Sequence, residues 1–234
     1  MKTVLFDLDG TILPIDQEEF IQKYFQKITS RIAKEKQMDP EHLTKVIWSG
    51  TKGMVKNDGT KMNRDCFYEI FEELTGEKTE DFEPAFDDFY EREFDELKEI
   101  MKESYNSKKM IARLKEKGHK IILATAPVFP RVAVNTRLSW VGLSVNDFDY
   151  VTSYENSSYC KPSKKYYQEI LERNHAEVED CVMIGNNVRE DMVAKELGME
   201  VFLLTDFLEN PEDQDISQYR NGNAEDLLAF VESL

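Results

Sequence analysis

The stretch TVLFDLDGTIL, residues 3–13, decides the fold. Its first four residues are apolar or β-branched, as in a buried strand, and two carboxylates follow at Asp7 and Asp9. Residues two apart in a strand share a face, so the sequence predicts that Asp7 and Asp9 converge on one site. A hydrophobic strand that ends in two carboxylates, followed at once by Gly10 and Thr11, points to chemistry at its tip.

The overall composition indicates a globular protein with a real core and argues against some classes of partner. Of the 234 residues, 41% are hydrophobic and 32% are charged, and the formal net charge is −16. This charge argues against nucleic acid or an anionic membrane as a partner. The three cysteines lack the spacing of a zinc site, and no apolar run suits a membrane span or a secretory signal. We therefore predict a cytoplasmic protein.

Further short apolar runs follow along the chain, with helical patterns between them. The predicted strands are Thr3–Phe6, Lys120–Ala124, Tyr150–Thr152, Cys181–Ile184 and Glu200–Leu204. The predicted helices of this part cover residues 108–117, 131–141, 164–174, 188–197 and 224–231. Apolar strands that alternate with helices are typical of a parallel sheet that is covered on both faces. The predicted fold class is therefore α/β.

Residues 15–99 interrupt this alternation. Helical patterns cover residues 18–36, 62–74 and 82–100, with no convincing strand. The change of hydrophobic period predicts an all-helical domain, residues 15–99, inserted into a core domain formed by residues 1–14 and 100–234. We interpret the glycine-rich stretch SGTKGMVKNDGTK, residues 49–61, as a loop between two helices of this domain.

Polar residues lie at the carboxyl ends of several predicted strands, where parallel α/β sheets bind ligands. A single residue of this kind would be interpreted as a helix cap or a loop residue, but their joint occurrence at one sheet edge favours a site. The residues are Asp7, Asp9, Thr125, Lys161, Asn186, Asn187 and Asp191.

This set of side chains suits phosphoryl transfer. One carboxylate can attack phosphorus and form an aspartyl phosphate, and a second can protonate the leaving oxygen and later activate water. A threonine hydroxyl, a lysine ammonium and loop amides can hold the phosphoryl oxygens. Mg²⁺ prefers oxygen ligands and would relieve the repulsion between neighbouring carboxylates.

Four segments, taken together, resemble the motifs of the haloacid dehalogenase superfamily, in the family's order and with family-like spacing. FDLDGT matches the first motif, DxDGT, in full; LATA ends in Thr125, CKPS contains Lys161, and GNNVRED matches GDxxxxD in part. The resemblance covers about residues 1–14 and 100–205. It implies a Rossmann-like parallel sheet core, a helical cap domain after the first strand, Mg²⁺ dependence and an aspartyl-enzyme intermediate.

The resemblance also implies roles for the two aspartates. Asp7 would be the nucleophile and a metal ligand. Asp9 would be the general acid and base, with its backbone carbonyl on the metal. The family's dehalogenases lack an aspartate at the position of Asp9, because a departing halide needs no proton. The presence of Asp9 therefore favours a phosphatase.

The remaining matched positions complete the implied site. Thr125 and the neighbouring Ala126 would bind phosphate. Lys161 would stabilise both the nucleophile and the phosphoryl charge. Asn186 and Asp191 would complete the metal site, Asp191 directly or through water.

Position 186 departs from the family pattern, which usually has an aspartate there. An amide oxygen can bind Mg²⁺ but brings no charge. The favoured interpretation is a phosphatase for a small phosphorylated metabolite with weakened metal binding. The alternative is a non-catalytic or weakly active binding or regulatory protein. Glu190 could restore the missing charge, although its place beside Asp191 at a helix start predicts that it points outward.

Two questions stay open on the sequence alone. The oligomeric state is unknown. Four basic residues of the helical domain are either surface residues or a lid over an anionic substrate, and these are Lys52, Lys56, Lys61 and Arg64.

Overall fold

The sheet at the centre of the fold consists of six parallel strands in the order β3-β2-β1-β4-β5-β6. The computed structural model describes residues 1–102 and 106–234. The strands are β1 (Thr3–Phe6), β2 (Lys120–Leu123), β3 (Tyr150–Val151), β4 (Cys181–Gly185), β5 (Glu200–Leu204) and β6 (Arg220–Gly222). The predicted α/β class with a Rossmann-like parallel sheet is confirmed. Strand β6 was not among the predicted strands, because it is short and polar and has no apolar pattern.

Eight α-helices are formed by the described residues. They are α1 (Gln17–Lys36), α2 (Pro40–Val55), α3 (Asn63–Thr75), α4 (Thr79–Arg92), α5 (Ser107–Glu116), α6 (Arg131–Trp140), α7 (Lys164–Asn174) and α8 (Ala224–Ser233). Short 3₁₀ helices include Phe94–Ile100 and Met192–Leu197. In the described part of the chain, no helix is long and apolar enough to cross a membrane.

The segment after β4 differs from its prediction, which placed a helix over residues 188–197. The carboxamide oxygen of Asn187 accepts hydrogen bonds from the backbone N–H groups of Arg189 (3.0 Å) and Glu190 (2.9 Å). This side chain therefore forms a local turn, as asparagine often does, and the chain becomes helical only at Met192–Leu197.

The helices from Gln17 to Ile100, called the cap segment below, follow β1 without a strand between them in the described residues. The division into an inserted helical domain, residues 15–99, and a core domain, residues 1–14 and 100–234, stays a prediction. The pattern predicted over residues 82–100 divides in the structure into α4 and the 3₁₀ helix Phe94–Ile100. Aromatic contacts join this segment to the core, because Phe94 stacks on Trp140 of α6 at 6.0 Å.

The predicted loop over residues 49–61 is wrong as far as Val55, because α2 continues through Gly50 and Gly53. A Cβ atom on Gly50 would lie 2.5 Å from Cδ2 of Phe67, and one on Gly53 would lie 2.0 Å from Cδ1 of Ile70. These glycines let α2 and α3 approach closely. The sequence pattern was misleading, since the sequence alone does not distinguish a glycine that allows close helix packing from one that ends a helix.

We predict that Gly50→Val destabilises the protein by about 1–3 kcal/mol, because the new side chain overlaps the ring of Phe67. The free energy of unfolding in urea measures this effect. Lys52→Val is the control, since Lys52 is exposed on the same helix and should lose only a few tenths of a kcal/mol through helix propensity. Equal losses in the two variants would show that the close packing at Gly50 is unimportant.

Candidate active site

The chain turns sharply where β1 ends, and this turn carries both aspartates. β1 stops at Phe6, and the backbone N–H of Asp7 still donates to Ile184 of β4 at 2.9 Å. Asp9 lies in a turn that is closed by a hydrogen bond from the N–H of Leu13 to the carbonyl of Leu8, 2.8 Å. Asp7 and Asp9 therefore lie beyond the strand, and the expected shared strand face does not apply to them. The turn nevertheless brings both side chains to the same cavity.

Gly10 lets this turn lie against Asn186. Its φ of +81° is unfavourable for other residues, and a Cβ atom would lie 2.3 Å from Nδ2 of Asn186. The Asn186 oxygen accepts a hydrogen bond from the Thr11 hydroxyl at 3.0 Å, and its NH₂ group donates to the carbonyl of Phe207 at 2.7 Å. Both the oxygen and the NH₂ group of the Asn186 side chain are therefore hydrogen-bonded. A carboxylate here could not donate to Phe207.

Lys161 connects two carboxylates beneath the cavity. Its Nζ atom lies 2.7 Å from Oδ1 of Asp7 and 2.7 Å from Oδ1 of Asp191, and the side chain is almost completely buried. Burial alone would lower the pKa of this ammonium, but the charges of Asp191 and Asp7 raise it well above its ordinary value. Lys161 therefore stays protonated and holds the two carboxylates together.

Both oxygens of Asp191 are engaged. Oδ1 pairs with Lys161, and Oδ2 accepts a hydrogen bond from the backbone N–H of Asn187 at 2.9 Å. Burial, together with the nearby charge of Asp7, raises the pKa of Asp191 to about 7. When both carboxylates are ionised, one ammonium between them leaves one negative charge in excess, and this state favours a further cation.

Thr125 lies at the end of β2 and is buried. Its backbone carbonyl accepts hydrogen bonds from the hydroxyl groups of Tyr166 and Thr152, both at 2.8 Å. These two residues fix the loop that presents Thr125 and Ala126 to the cavity. No sequence motif marks Tyr166 or Thr152 as supports of this loop.

The cavity at this edge of the sheet has a volume of about 20 Å³, enough for one water-sized species. All predicted site residues except Lys161 line it, and Lys161 lies buried against Asp7 and Asp191. The lining residues are Asp7, Asp9, Gln17, Thr125, Ala126, Asn186, Asn187, Glu190 and Asp191.

Glu190 lines this cavity, so the prediction that it points outward is wrong. It lies on the turn made by Asn187 rather than on a helix start, and its carbonyl accepts a hydrogen bond from the Tyr167 hydroxyl at 2.7 Å. Burial raises the pKa of its carboxyl group. Its place in the cavity lets Glu190 supply the negative charge that is missing at Asn186, although the raised pKa opposes its ionisation.

The donor set fits a hard divalent cation. No group of three or more His, Cys, Asp or Glu residues within residues 1–102 and 106–234 is already assembled as a metal site. The available donors are nonetheless all oxygen atoms, and four carboxyl groups line the cavity, on Asp7, Asp9, Glu190 and Asp191. Oxygen donors with excess negative charge are what Mg²⁺ prefers.

Asp9 has a partner that the sequence analysis missed. Nη1 of Arg137 on α6 donates to Oδ2 of Asp9, and the arginine side chain is completely buried. Burial raises the pKa of Asp9, and the charge of Arg137 opposes this effect. The sequence contains one sign of this buried arginine. Arg137 follows Val134 and precedes Leu138 on the apolar face of α6, where a charged residue needs a partner.

The four basic residues of the cap segment lie apart from the residues that line the cavity. Lys61 pairs with Glu69, and Nε of Arg64 donates to Glu83 at 3.0 Å. Lys52 and Lys56 are exposed. These contacts favour the interpretation of surface residues over that of a lid.

A larger cleft of about 1070 Å³ lies beside the small cavity and shares Gln17 with it. The start of α1 and the loop after β5 form its walls. Asp16, Glu18, Asp206 and Glu209 contribute carboxyl groups, and the lining contains no lysine or arginine. Burial raises the pKa of Glu209 to about 7. The cleft is thus an acidic approach to the site.

The carboxylate-rich site lies where parallel α/β sheets bind their ligands, at the carboxyl ends of the strands. Residues 4–204 match the family described as haloacid dehalogenase-like hydrolase. The chain therefore belongs to the haloacid dehalogenase-like hydrolases. The resemblance seen in its four motifs and the prediction of a hydrolase are confirmed.

Comparison with individual proteins gives more distant relatives. The chain is 25% identical over 187 residues to the pyrophosphatase PpaX of Bacillus mycoides (strain KBAB4), covering 80% of this chain and 75% of that protein. An HAD phosphatase from Thermococcus onnurineus has a similar fold, with a TM-score of 0.59, 19% identity and coverage of 99% and 98%. YfnB from Bacillus subtilis, in a structure bound to magnesium, gives a TM-score of 0.57, 18% identity and coverage of 99% and 98%.

We predict that Lys161→Met lowers the free energy of unfolding at neutral pH by about 3–5 kcal/mol, because Asp7 and Asp191 lose their shared cation. Urea unfolding measures the loss. The double variant Lys161→Met/Asp191→Asn should recover part of it, since one of the two buried charges is then removed.

Lys164→Met is the control for this prediction. Lys164 pairs with Glu196 at the surface, and breaking that pair should cost at most about 1 kcal/mol. A Lys161 variant as stable as the Lys164 variant would contradict the argument that the buried ammonium holds the site together.

Proposed function

We propose that this protein is a Mg²⁺-dependent phosphatase that hydrolyses a small phosphomonoester through an aspartyl-phosphate intermediate. The observation that carries the proposal is the convergence of Asp7, Asp9, Thr125 and Lys161 at one cavity edge, with a separate cationic partner for each aspartate. Family membership supports a hydrolase, and the similarity to proteins named phosphatase or pyrophosphatase supports phosphate as the group attacked.

In the proposed first step, a carboxylate oxygen of Asp7 attacks phosphorus while the bond to the leaving oxygen breaks. Lys161 donates a hydrogen bond to one oxygen of Asp7 and holds the carboxylate in place. The same ammonium offsets the negative charge that develops on the phosphoryl oxygens. The Thr125 hydroxyl and the backbone N–H of Ala126 would bind these oxygens, since both residues line the cavity.

Asp9 handles the proton in both halves of the proposed reaction. It gives a proton to the leaving oxygen as the aspartyl phosphate forms, and it later takes a proton from the water that attacks this intermediate. Its Oδ2 atom is held by Arg137, whereas Oδ1 has no hydrogen-bond partner. The free oxygen is therefore the one assigned to proton transfer.

The residues that would hold Mg²⁺ are Asp7, the backbone carbonyl of Asp9 and the amide oxygen of Asn186. The ion would supply charge neutralisation for the phosphoryl group and for the carboxylates around it. Glu190 adds a carboxylate at the same cavity. Asp191 holds Lys161 and the backbone of Asn187 through its two oxygens, and it would bind the ion directly or through water.

The proposed substrate has a leaving group that is uncharged or positively charged. The leaving group would occupy the acidic cleft beside the cavity, where four carboxyl groups disfavour a second anionic group. Pyrophosphate is the natural competitor, since the relative from Bacillus mycoides is named a pyrophosphatase. The two substrate types are therefore compared in the same assay.

We predict Mg²⁺-dependent phosphate release from a panel of neutral and amino phosphomonoesters, with slower release from pyrophosphate. Asp7→Asn should abolish turnover, because an amide cannot form the acyl phosphate. Asp39→Asn is the control, since Asp39 is an exposed helix cap at which asparagine serves equally well. A wild-type protein that releases no phosphate from any member of the panel would favour the non-catalytic alternative.

A second prediction concerns Asn186→Asp. The added charge should tighten Mg²⁺ binding, which calorimetric titration measures. The same change removes the donor to Phe207, so the metal-free protein should lose about 1–3 kcal/mol of stability. Equal Mg²⁺ affinity in the two proteins would show that position 186 is not a ligand. Activity that appears only in the variant would support the regulatory alternative.

A further inference from the structure

Arg137 is a cation buried in an aromatic part of the core. Its side chain is completely buried on α6, with the guanidinium 4.4 Å from the ring centroid of Phe129 and 5.4 Å from that of Phe20. Its Nε atom reaches only the carbonyl of Ala133, at 3.4 Å. The carboxylate that pairs with it in the described residues is Asp9.

The fold itself does not require a charge at this place. The neighbouring buried residues of α6 are mostly apolar, and a leucine or methionine would pack between the two rings without the cost of desolvating a guanidinium. The aromatic faces attract the cation but accept no conventional hydrogen bond. The specific directional contact of Arg137 is therefore the one to the proposed acid and base.

The geometry of that contact is one-sided. Guanidinium and carboxylate groups often form two parallel hydrogen bonds, but here Nη1 bonds to Oδ2 alone. Oδ1 of Asp9 and Nη2 of Arg137 are the buried side-chain atoms without a hydrogen-bond partner in the part of the chain that the structure describes. Asp9 is thus fixed through one oxygen, while its other oxygen is left for a different partner.

The walls around the guanidinium make this hold rigid. Phe20 and Phe129 both lie within cation–π distance of the Arg137 guanidinium and restrict its position. A planar guanidinium also fixes the direction of its N–H bonds, which the rotating ammonium of a lysine does not. The carboxyl group of Asp9 is held by a preorganised donor and does not need to be ordered during each turnover.

We propose that Arg137 is a positioning residue that orients Asp9 for proton transfer, an inference that rests on the proposed phosphatase function. With Oδ2 held by Arg137, a protonated Oδ1 gives its proton to the leaving oxygen as the oxygen–phosphorus bond breaks and the bond to Asp7 forms. The same Oδ1 then takes a proton from the water that attacks phosphorus, as the bond between phosphorus and Asp7 breaks and inorganic phosphate leaves. Arg137 itself does not touch the reacting atoms.

This role makes a prediction that depends on the leaving group. An alkoxide is a poor leaving group and needs a proton from Asp9, whereas p-nitrophenolate leaves well without one. Losing the orientation of Asp9 should therefore slow an alkyl phosphate strongly and p-nitrophenyl phosphate little. A residue that only stabilises the fold would affect both substrates alike.

The experiment compares Arg137→Met and Arg137→Lys with the wild type on p-nitrophenyl phosphate and on an alkyl phosphomonoester, with Mg²⁺ present. We expect kcat on the alkyl ester to fall by about 100-fold or more in Arg137→Met, with a much smaller fall on p-nitrophenyl phosphate. The kcat of Arg137→Lys on the alkyl ester should lie between those of the wild type and Arg137→Met. Arg131→Met, at an exposed arginine of the same helix, is the control and should leave both rates unchanged.

Folding and function are separated within the same experiment. If Arg137→Met does not fold, the comparison uses Arg137→Lys, which keeps the charge that pairs with Asp9. Adding guanidinium at millimolar concentration to Arg137→Ala should restore turnover of the alkyl ester selectively. In an active wild-type background, an equal fall on both substrates overturns the positioning role alone. A wild-type protein inactive on both substrates overturns the proposed function and this inference together.

Discussion

The site depends on one buried ammonium group. Lys161 lies between Asp7, which follows β1, and Asp191, which lies beyond β4, and its Nζ atom is 2.7 Å from an oxygen of each. Without this cation, two carboxylates at the centre of the sheet would repel each other in a medium that solvates them poorly. Lys161 itself comes from the loop after β3. One interaction therefore fixes three separate parts of the chain at the same sheet edge.

The environment of Asn186 shows how an amide is accommodated at this position. The amide loses the charge of an aspartate but gains a hydrogen bond to the carbonyl of Phe207, while its oxygen still faces Thr11. The loop after β5 is thereby tied to the turn after β1. Glu190 places a carboxylate at the same cavity. Asn186 thus fixes the positions of two loops, while Glu190 contributes a carboxyl group to the same cavity.

The sequence predicted the features that depend on local patterns. Apolar strands located β1 and β5 to the residue, and the order of the four motifs identified the candidate site before any geometry was known. Features that depend on distant contacts were missed. Gly50 was interpreted as a loop residue because its partner, Phe67, lies on another helix. Likewise, Arg137 was overlooked because its partner is 128 positions away in the sequence, and no motif links an arginine of α6 to Asp9.

The position of Arg137 also ties the cap segment to the proposed proton donor. Phe20 belongs to α1 of the cap segment, whereas Phe129 follows Thr125 in the core, and the two rings lie on the same guanidinium. Phe20 and Phe129 also contact each other, with ring centroids 5.8 Å apart. The cation that holds Asp9 is therefore packed against side chains from both parts of the molecule. Any displacement of α1 would remove one wall from Arg137 and admit water, which weakens the field that the guanidinium exerts on Asp9. The cluster of Arg137, Phe20 and Phe129 therefore contributes both to the packing of α1 and to the orientation of the proposed acid.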